Sequence, residues 1–201
     1  MRLGILASHQ GTNFQAIIDA CRCGDLGAEV AVAISNNSKS KALARARAAN
    51  IPTIHLSSKT HPQAEALDEA LLSALIDHRA NLVLTLGYMK KLGPRTLKYF
   101  QGRIINIHPS LLPKYGGQGM FGLNVHKAVL ESADTHTGVT VHYVDEHYDT
   151  GHTISQTRIQ VRPDDTPDTL AARVLAEEHK LLVNTLKQLA ETPCNHQMKV
   201  R

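Results

Sequence analysis

Two polar side chains at the end of an apolar run are the first residues in this sequence that could do chemistry. Asn106 and His108 lie in the β-branched run 103–108, and Pro109 favours extended geometry at the residue before it. The run therefore predicts a buried strand that ends at His108. Because side chains alternate along a strand, both project from one face at its carboxyl end, where open α/β sheets place their ligands. Taken singly, each is more often a satisfied polar residue or a turn former.

A second candidate is the glycine-containing segment 8–13, which lies between a predicted strand and a predicted helix. A turn of this kind presents backbone N–H groups and the positive end of a helix dipole, so it predicts a site for one phosphate. An ordinary turn with Thr12 or Asn13 capping the helix is equally compatible with the sequence. The segment has no G-x-G-x-x-G and no Walker lysine, which disfavours a dinucleotide or a nucleoside triphosphate.

A third candidate is the loop 145–152, which is rich in acids and histidines. A carboxylate brought to the face of His108 would favour the protonated imidazole and fix its orientation. The commoner role of acids in loops is that of solvated turn residues. A metal site built from these acids with His142, His147 and His152 is a weaker hypothesis, because the histidines lack a compact ligand spacing such as H-E-x-x-H.

Strands and helices alternate through the chain, which predicts an α/β fold with a doubly wound, mostly parallel sheet. The short loop between the last two strands predicts an antiparallel C-terminal part. Apolar periodicity predicts strands at 2–7, 29–35, 51–55, 81–86, 103–108, 138–144 and 153–161. It predicts helices at 13–22, 40–49, 62–79 and 124–132, and a last helix that opens at Thr166-Pro167-Asp168. The glycine-rich segment 116–122 is either a loop that closes over substrate or a plain connection.

Composition limits the classes of protein that the chain can belong to. A chain of 201 residues with 42% hydrophobic content can bury one core, so we expect a single domain over 1–201. The net charge of +4 favours anionic ligands, but the basic residues are dispersed and aromatics make up only 4%, so we expect no nucleic acid partner. No apolar stretch is long enough to span a bilayer or to form a signal segment, so we expect a soluble, cytoplasmic protein. The three cysteines, Cys21, Cys23 and Cys194, are expected to be free thiols.

The Asn106-Ile-His108 pair followed by Pro-Ser-Leu-Leu-Pro resembles the signature of the folate-dependent formyltransferases, and the resemblance extends across nearly the whole chain. It implies a single-domain, Rossmann-type fold with a phosphate-binding half at about 1–100 and a folate and catalytic half at about 81–190. It implies direct transfer of a formyl group from 10-formyltetrahydrofolate to the amine of glycinamide ribonucleotide, in purine synthesis, through a tetrahedral intermediate and without a metal. The implied partners are small molecules, with no membrane, and the implied assembly is a monomer or a homodimer.

The resemblance also assigns roles to individual residues. The implied catalytic residues are Asn106, an amide donor, His108, a cationic donor and proton source, and Asp149, which raises the pKa of the histidine. The implied ribonucleotide-binding residues are Gly11, Thr12, Asn13 and Glu178, and the implied folate-binding residues are Met89, Lys90, Lys91, Leu92, Asn106 and Val144. The same resemblance predicts a cis bond before Pro113.

The sequence departs from the family pattern at five places. His9-Gln10-Gly11 replaces the usual Gly-x-Gly, and Lys90 replaces an arginine. Ala64 replaces an arginine associated with the glutamate tail of folate, which implies weaker tail recognition or recognition by other residues. His147 and His152 replace a small residue and a proline, adding titratable groups beside the folate pocket.

Three alternatives are kept. A formyl-folate hydrolase uses a similar Asn-His-Asp set but normally carries an N-terminal regulatory domain, whereas this sequence begins at its first strand. A methionyl-tRNA formyltransferase normally has a C-terminal RNA-binding domain that is missing here. A non-catalytic module that binds a phosphorylated sugar needs the phosphate loop but none of the catalytic residues.

Overall fold

The computed structural model describes residues 1–191, so the predicted thiol of Cys194 lies outside the described residues. Within this range the chain forms one seven-stranded sheet in the order β3-β2-β1-β4-β5-β6-β7. The strands are β1 Arg2–Leu6, β2 Glu29–Ser35, β3 Thr53–His55, β4 Leu82–Thr85, β5 Ile104–His108, β6 His136–Tyr143 and β7 Thr153–Gln160.

The sheet is mixed, as the sequence predicts. Strands β3, β2, β1, β4 and β5 pair in parallel, whereas β6 pairs antiparallel with both β5 and β7. The strand order reverses beside β1, which has β2 on one side and β4 on the other. The loops after β1 and β4 therefore leave the sheet at its switch point, where doubly wound folds form their ligand crevice.

Helices cover both faces of the sheet, which confirms the doubly wound prediction. They are α1 Thr12–Arg22, α2 Lys41–Ala48, α3 Ala64–Asp77, α4 Pro94–Tyr99, α5 Leu123–Glu131 and α6 Pro167–Glu191. Successive residues of a strand point to opposite faces of the sheet and pack in two different hydrophobic cores. Leu84 and Ile105 pack in the core with α1, α2, α5 and α6, whereas Val83 and Ile104 pack in the core with α3 and α4.

Helix α4 is the one described helix that the sequence does not predict. It has six residues and begins at Pro94. Its first N–H groups are capped from α3 by buried Asp68, whose carboxylate accepts from the N–H of Arg95 at 2.8 Å and of Thr96 at 3.1 Å. A Cβ at Gly93 would lie 2.2 Å from Asp68 Cγ, so the cap requires glycine there. Because the capping residue is far from α4 in the sequence, the local sequence pattern does not predict this helix.

No helix among residues 1–191 combines the length and apolar character needed to cross a membrane. Cys21 and Cys23 are free thiols.

Candidate active site

The last residues of β5 and the loop after β6 meet at the carboxyl edge of the sheet. Antiparallel pairing places Asn106 opposite His142 on β6. Asp149 reaches this pair and His108 at once. One carboxylate oxygen lies 3.6 Å from His108 Nδ1, and the other lies 3.5 Å from Asn106 Nδ2 and 3.6 Å from His142 Nε2. The structure thus brings together the three residues predicted to be catalytic.

The Asp149 carboxylate is held by the glycine-rich loop. The backbone N–H of Gly117 donates to Asp149 Oδ2 at 2.9 Å. Asp149 itself has φ 58°, which is unusual for a residue with a side chain. The loop at 116–122 is therefore joined directly to the candidate catalytic carboxylate.

The His108 imidazole is buried, and its tautomer follows from its partners. His108 Nε2 lies 2.8 Å from the backbone carbonyl oxygen of Tyr115. A carbonyl can only accept, so Nε2 carries a hydrogen and Nδ1 is the nitrogen that faces Asp149. The 3.6 Å between Nδ1 and the carboxylate is too long for a direct hydrogen bond, so this contact is electrostatic. The Leu112–Pro113 bond in this loop is cis, as predicted.

The pKa of His108 lies below its ordinary value, because burial outweighs the opposing effects of Asp149 and of the Tyr115 carbonyl. The expectation that Asp149 leaves the histidine with a raised pKa is therefore wrong in its net sign, although Asp149 acts in the predicted direction. Burial also opposes ionisation of Asp149, but contact with His142, the charge of His108 and the Gly117 N–H together hold the pKa of Asp149 below its usual range.

Two polar residues complete the site and were not assigned to it from the sequence. Thr85 at the end of β4 donates its hydroxyl to Asn106 Oδ1 at 3.1 Å. His142 Nδ1 lies 2.8 Å from the Tyr143 carbonyl oxygen, and His142 Nε2 lies 3.1 Å from Asn106 Nδ2. These contacts orient the amide so that its N–H₂ end points toward Asp149. The sequence carries no signal for His142, because the prediction of antiparallel pairing concerns only the last two strands and the placement of His142 depends on the pairing of β6 with β5.

The alternative of a metal site built from His142, His147, His152 and the acids of the loop 145–152 is not supported by the described residues. In the described part of the chain, no three His, Cys, Asp or Glu side chains are grouped so that they could hold a metal ion. His147 lines the cavity described next, whereas His152 does not.

A cavity opens beside Asn106 and Asp149, between the loop after β4 and the loop after β6. Of the six predicted folate-binding residues, Lys90, Lys91, Leu92, Asn106 and Val144 line it, and Met89 does not. The N–H of Met89 instead donates to Ser8 Oγ at 2.8 Å. The other lining residues are Thr85, Tyr88, His142, Asp145, Glu146, His147, Tyr148 and Asp149.

The predicted phosphate loop has the geometry of a helix N-terminus without a side-chain cap. Gly11 is the N-cap residue of α1 at φ 66°, so the alternative of Thr12 or Asn13 as the cap is wrong. The first-turn N–H groups of α1 are left available to an anion. A Cβ at Gly11 would lie 2.8 Å from Ala42 Cβ, so both the backbone angle and the close approach of α2 require glycine.

Asn13 and Glu178, both predicted to contact the ribonucleotide, contact each other. Asn13 Nδ2 donates to Glu178 Oε2 at 2.9 Å. Glu178 is buried on α6, and burial raises its pKa to about 7 against the opposing hydrogen bond from Asn13. The second Asn13 side-chain atom, Oδ1, is buried without a hydrogen-bond partner among the described residues.

Ser8 joins the phosphate loop to the cavity at the switch point of the sheet. Its N–H donates to the Gly87 carbonyl at 3.2 Å, and its hydroxyl oxygen accepts from Met89. Hydrogen bonds of Ser8 therefore join the loop of the candidate phosphate site to the loop of the candidate folate site.

The fold and this site define a formyl transferase. The chain belongs to the formyl transferase family, whose model matches residues 1–186. The resemblance inferred from the sequence is thereby confirmed.

Named relatives within this family narrow the class further. The chain is 37% identical over 191 residues to the chloroplastic phosphoribosylglycinamide formyltransferase of Arabidopsis thaliana, covering 94% of this chain but 65% of that protein. It is 37% identical over 190 residues to the phosphoribosylglycinamide formyltransferase of Haemophilus influenzae, covering 94% and 87% of the two chains. The crystal structure of phosphoribosylglycinamide formyltransferase from Bacillus halodurans superposes with a TM-score of 0.90 at 36% identity, covering 99% and 100%.

Proposed function

We propose that this chain transfers the formyl group of 10-formyltetrahydrofolate to the amine of glycinamide ribonucleotide. The observation that carries the proposal is the position of Asp149, within 3.6 Å of both His108 and Asn106 and in the wall of the cavity. The names of the relatives support the same reaction.

The two candidate binding sites lie at a separation that one substrate can bridge. The loop of Gly11 follows β1, and Asn106 lies on β5, with β4 between them. Two strand spacings amount to roughly 10 Å. The ribonucleotide would place its phosphate on the first turn of α1, its sugar near Asn13 and Glu178, and its amine toward Asn106. The folate donor would occupy the cavity along Lys90, Lys91, Leu92 and Val144, with Met89 at its margin.

The geometry supports direct transfer. The amine nitrogen attacks the formyl carbon, and the carbonyl oxygen becomes an oxyanion that Asn106 Nδ2–H and protonated His108 Nδ1–H stabilise. The intermediate collapses when the bond from the formyl carbon to the folate nitrogen breaks. His108 gives its Nδ1 proton to that nitrogen and is then reprotonated by the proton that the attacking amine loses, with Asp149 stabilising the imidazolium. No covalent bond between the substrates and the protein forms in these reaction steps.

Substitution of Asn106 tests how much this side chain contributes to stabilising the oxyanion. Loss of one oxyanion donor typically costs about 2.7–4 kcal/mol of barrier. Asn106→Ala is therefore expected to lower kcat about 100- to 1000-fold with little change in the ribonucleotide KM.

We also propose a location, a set of partners and an assembly state for this protein. A cytoplasmic location is supported by the free thiols Cys21 and Cys23. The proposed partners are the two small substrates, without nucleic acid, membrane or metal, and the assembly is a monomer or a homodimer.

One assay separates this function from its alternatives. Absorbance change with 10-formyltetrahydrofolate is followed with and without glycinamide ribonucleotide, using Asn106→Ala as the matched inactive variant. Formyl transfer predicts a rate only when both substrates are present. A rate without the ribonucleotide would favour the hydrolase, and ribonucleotide binding without any rate would favour the binding module.

A further inference from the structure

Tyr115 occupies a backbone conformation that a residue with a side chain rarely adopts. Its φ is 56°, in the left-handed region. This conformation directs the Tyr115 carbonyl oxygen to His108 Nε2 at 2.8 Å. Because the conformation is intrinsically unfavourable, contacts elsewhere must hold it.

The Tyr115 side chain is anchored by hydrogen bonds to the segment between α5 and β6. The phenol donates to Asp134 Oδ2 at 2.7 Å and lies 2.5 Å from Ser132 Oγ. Asp134 also accepts from Lys114 Nζ at 2.9 Å. These hydrogen bonds keep the pKa of the Asp134 carboxyl below its usual range, so it is an ionised acceptor at neutral pH. Asp134 lies between α5 and β6 and does not line the cavity.

The Tyr115 carbonyl decides which nitrogen of neutral His108 carries the hydrogen. Without it, the Asp149 carboxylate beside Nδ1 would favour the Nδ1–H tautomer and leave Nε2 buried and unpaired. With it, the hydrogen is fixed on Nε2, and the second proton of the imidazolium enters at Nδ1. That is the nitrogen next to Asp149 and to the space where the formyl oxygen would bind.

We propose that Asp134 is a positioning residue for His108: through the Tyr115 phenol it holds the Tyr115 carbonyl on Nε2 and so selects the catalytic tautomer. The catalytic consequence depends on the proposed function, whereas the tautomer does not. The titratable groups around His108 are Asp149, His142 and His126. All three belong to other elements than Asp134, so we expect their contacts to be unchanged when Asp134 is substituted.

The test measures the tautomer directly, by ¹⁵N NMR of the His108 imidazole at a pH where it is neutral. Wild-type protein is expected to show the Nε2–H form. Asp134→Ala and Tyr115→Phe each remove the phenol contact and are expected to give a mixture with a substantial share of Nδ1–H. Asp134→Asn keeps an acceptor oxygen and is expected to retain the wild-type tautomer. Lys114→Met removes only the exposed ion pair and is the matched control.

Kinetics supply the second readout. Asp134→Ala and Tyr115→Phe are expected to lower kcat roughly tenfold, because the wrong tautomer of a catalytic histidine impairs proton transfer. The KM values of both substrates should stay within about twofold, since neither residue is placed in a binding site.

Several outcomes would overturn the proposal. A pure Nε2–H form in both Asp134→Ala and Tyr115→Phe would show that the carbonyl does not need this support. An equal tautomer change in Lys114→Met would assign the effect to local charge. A tautomer change in a protein that transfers no formyl group would leave the positioning role intact and overturn the proposed function instead.

Discussion

At His108, burial and a neighbouring carboxylate act on the same pKa in opposite directions, and burial prevails. The resemblance to the family implies that Asp149 lies near this histidine, but the sequence cannot show how completely the imidazole is removed from water. The proximity of Asp149 was therefore predictable, whereas the direction of the net pKa shift of His108 was not. The consequence is that His108 is largely neutral at pH 7 and becomes an effective donor only when protonated.

Asp149→Asn should lower the pKa of His108 further, because the substitution removes the nearby negative charge that favours the imidazolium. The protonated fraction at pH 7 then falls, and so does kcat. An NMR titration of the His108 ring measures the shift, with wild-type protein as the reference. A titration midpoint that does not move would show that Asp149 acts on another group.

The same pair should behave as one unit in kinetics. If Asp149 works through His108, Asp149→Asn should cost much less in the His108→Ala background than it does alone. A double-mutant cycle on kcat/KM measures this coupling. Ribonucleotide affinity serves as the control and should stay nearly constant, because the loop of Gly11 lies two strands away. Additive losses would contradict the model of a single unit.

Glu178 predicts an unusual dependence of stability on pH. Its carboxyl has an ordinary pKa of 4.5 in the unfolded chain and about 7 in the folded protein. Between these values the folded state binds the extra proton, so the free energy of unfolding falls as the pH rises from about 4.5 to about 7. Glu178→Gln mimics the protonated form and removes this dependence.

Urea unfolding at pH 5 and pH 8 checks the Glu178 prediction. The variant should be more stable than wild type at pH 8, by an amount on the order of 3 kcal/mol, and nearly equal to it at pH 5. It should also bind the ribonucleotide more weakly at pH 8, where wild type offers a carboxylate. Equal stability of the two proteins at pH 8 would show that the buried carboxyl carries no such penalty.

At the scale of elements, apolar periodicity predicts the strands and helices that depend on local sequence. It does not predict features that depend on contacts between residues far apart in the chain. All seven described strands were predicted, with ends displaced by at most two residues. Helix α4 was missed because its cap is Asp68 on α3. His142 was not placed in the site because its role depends on the register of β6 against β5. Met89 was placed in the folate wall by resemblance, whereas the N–H contact with Ser8 holds it at the margin.

The connection between β1 and α1 gives a prediction at this scale. Gly11→Ala adds a methyl group that would lie 2.8 Å from Ala42 Cβ, and it places a side chain at φ 66°. The loop must shift, so the ribonucleotide KM is expected to rise about tenfold or more while folate binding is retained. Steady-state kinetics with each substrate varied in turn measures the difference.

Gly24→Ala is the matched control for Gly11→Ala. Gly24 has φ 78°, but no atom lies within 4 Å of its added Cβ. Both variants should therefore lose stability by roughly 1–2 kcal/mol from the left-handed backbone. Only Gly11→Ala should change the KM, and an equal change in both would assign the effect to general destabilisation.

At the scale of the whole molecule, α6 links the two halves of the sheet. It packs against α1 on the parallel side and against β6 and β7 on the antiparallel side, and Glu178 on it binds Asn13. We therefore predict that the described residues unfold as one cooperative unit. Thermal unfolding should show one transition, with equal calorimetric and van't Hoff enthalpies. Two separated transitions would show that the halves fold independently.

The hydrogen bonds of Ser8 imply that the two substrates bind with positive cooperativity. Its hydroxyl donates to Asn36 and accepts from Met89, and its carbonyl accepts from Asn37. A ligand that orders the loop after β1 thus reduces the entropy cost of ordering the loop after β4. Thermodynamic linkage requires each substrate to raise the affinity for the other by the same factor. Calorimetric titration in both orders, with a non-transferring folate, should give that common factor in wild-type protein and a smaller one in Ser8→Ala.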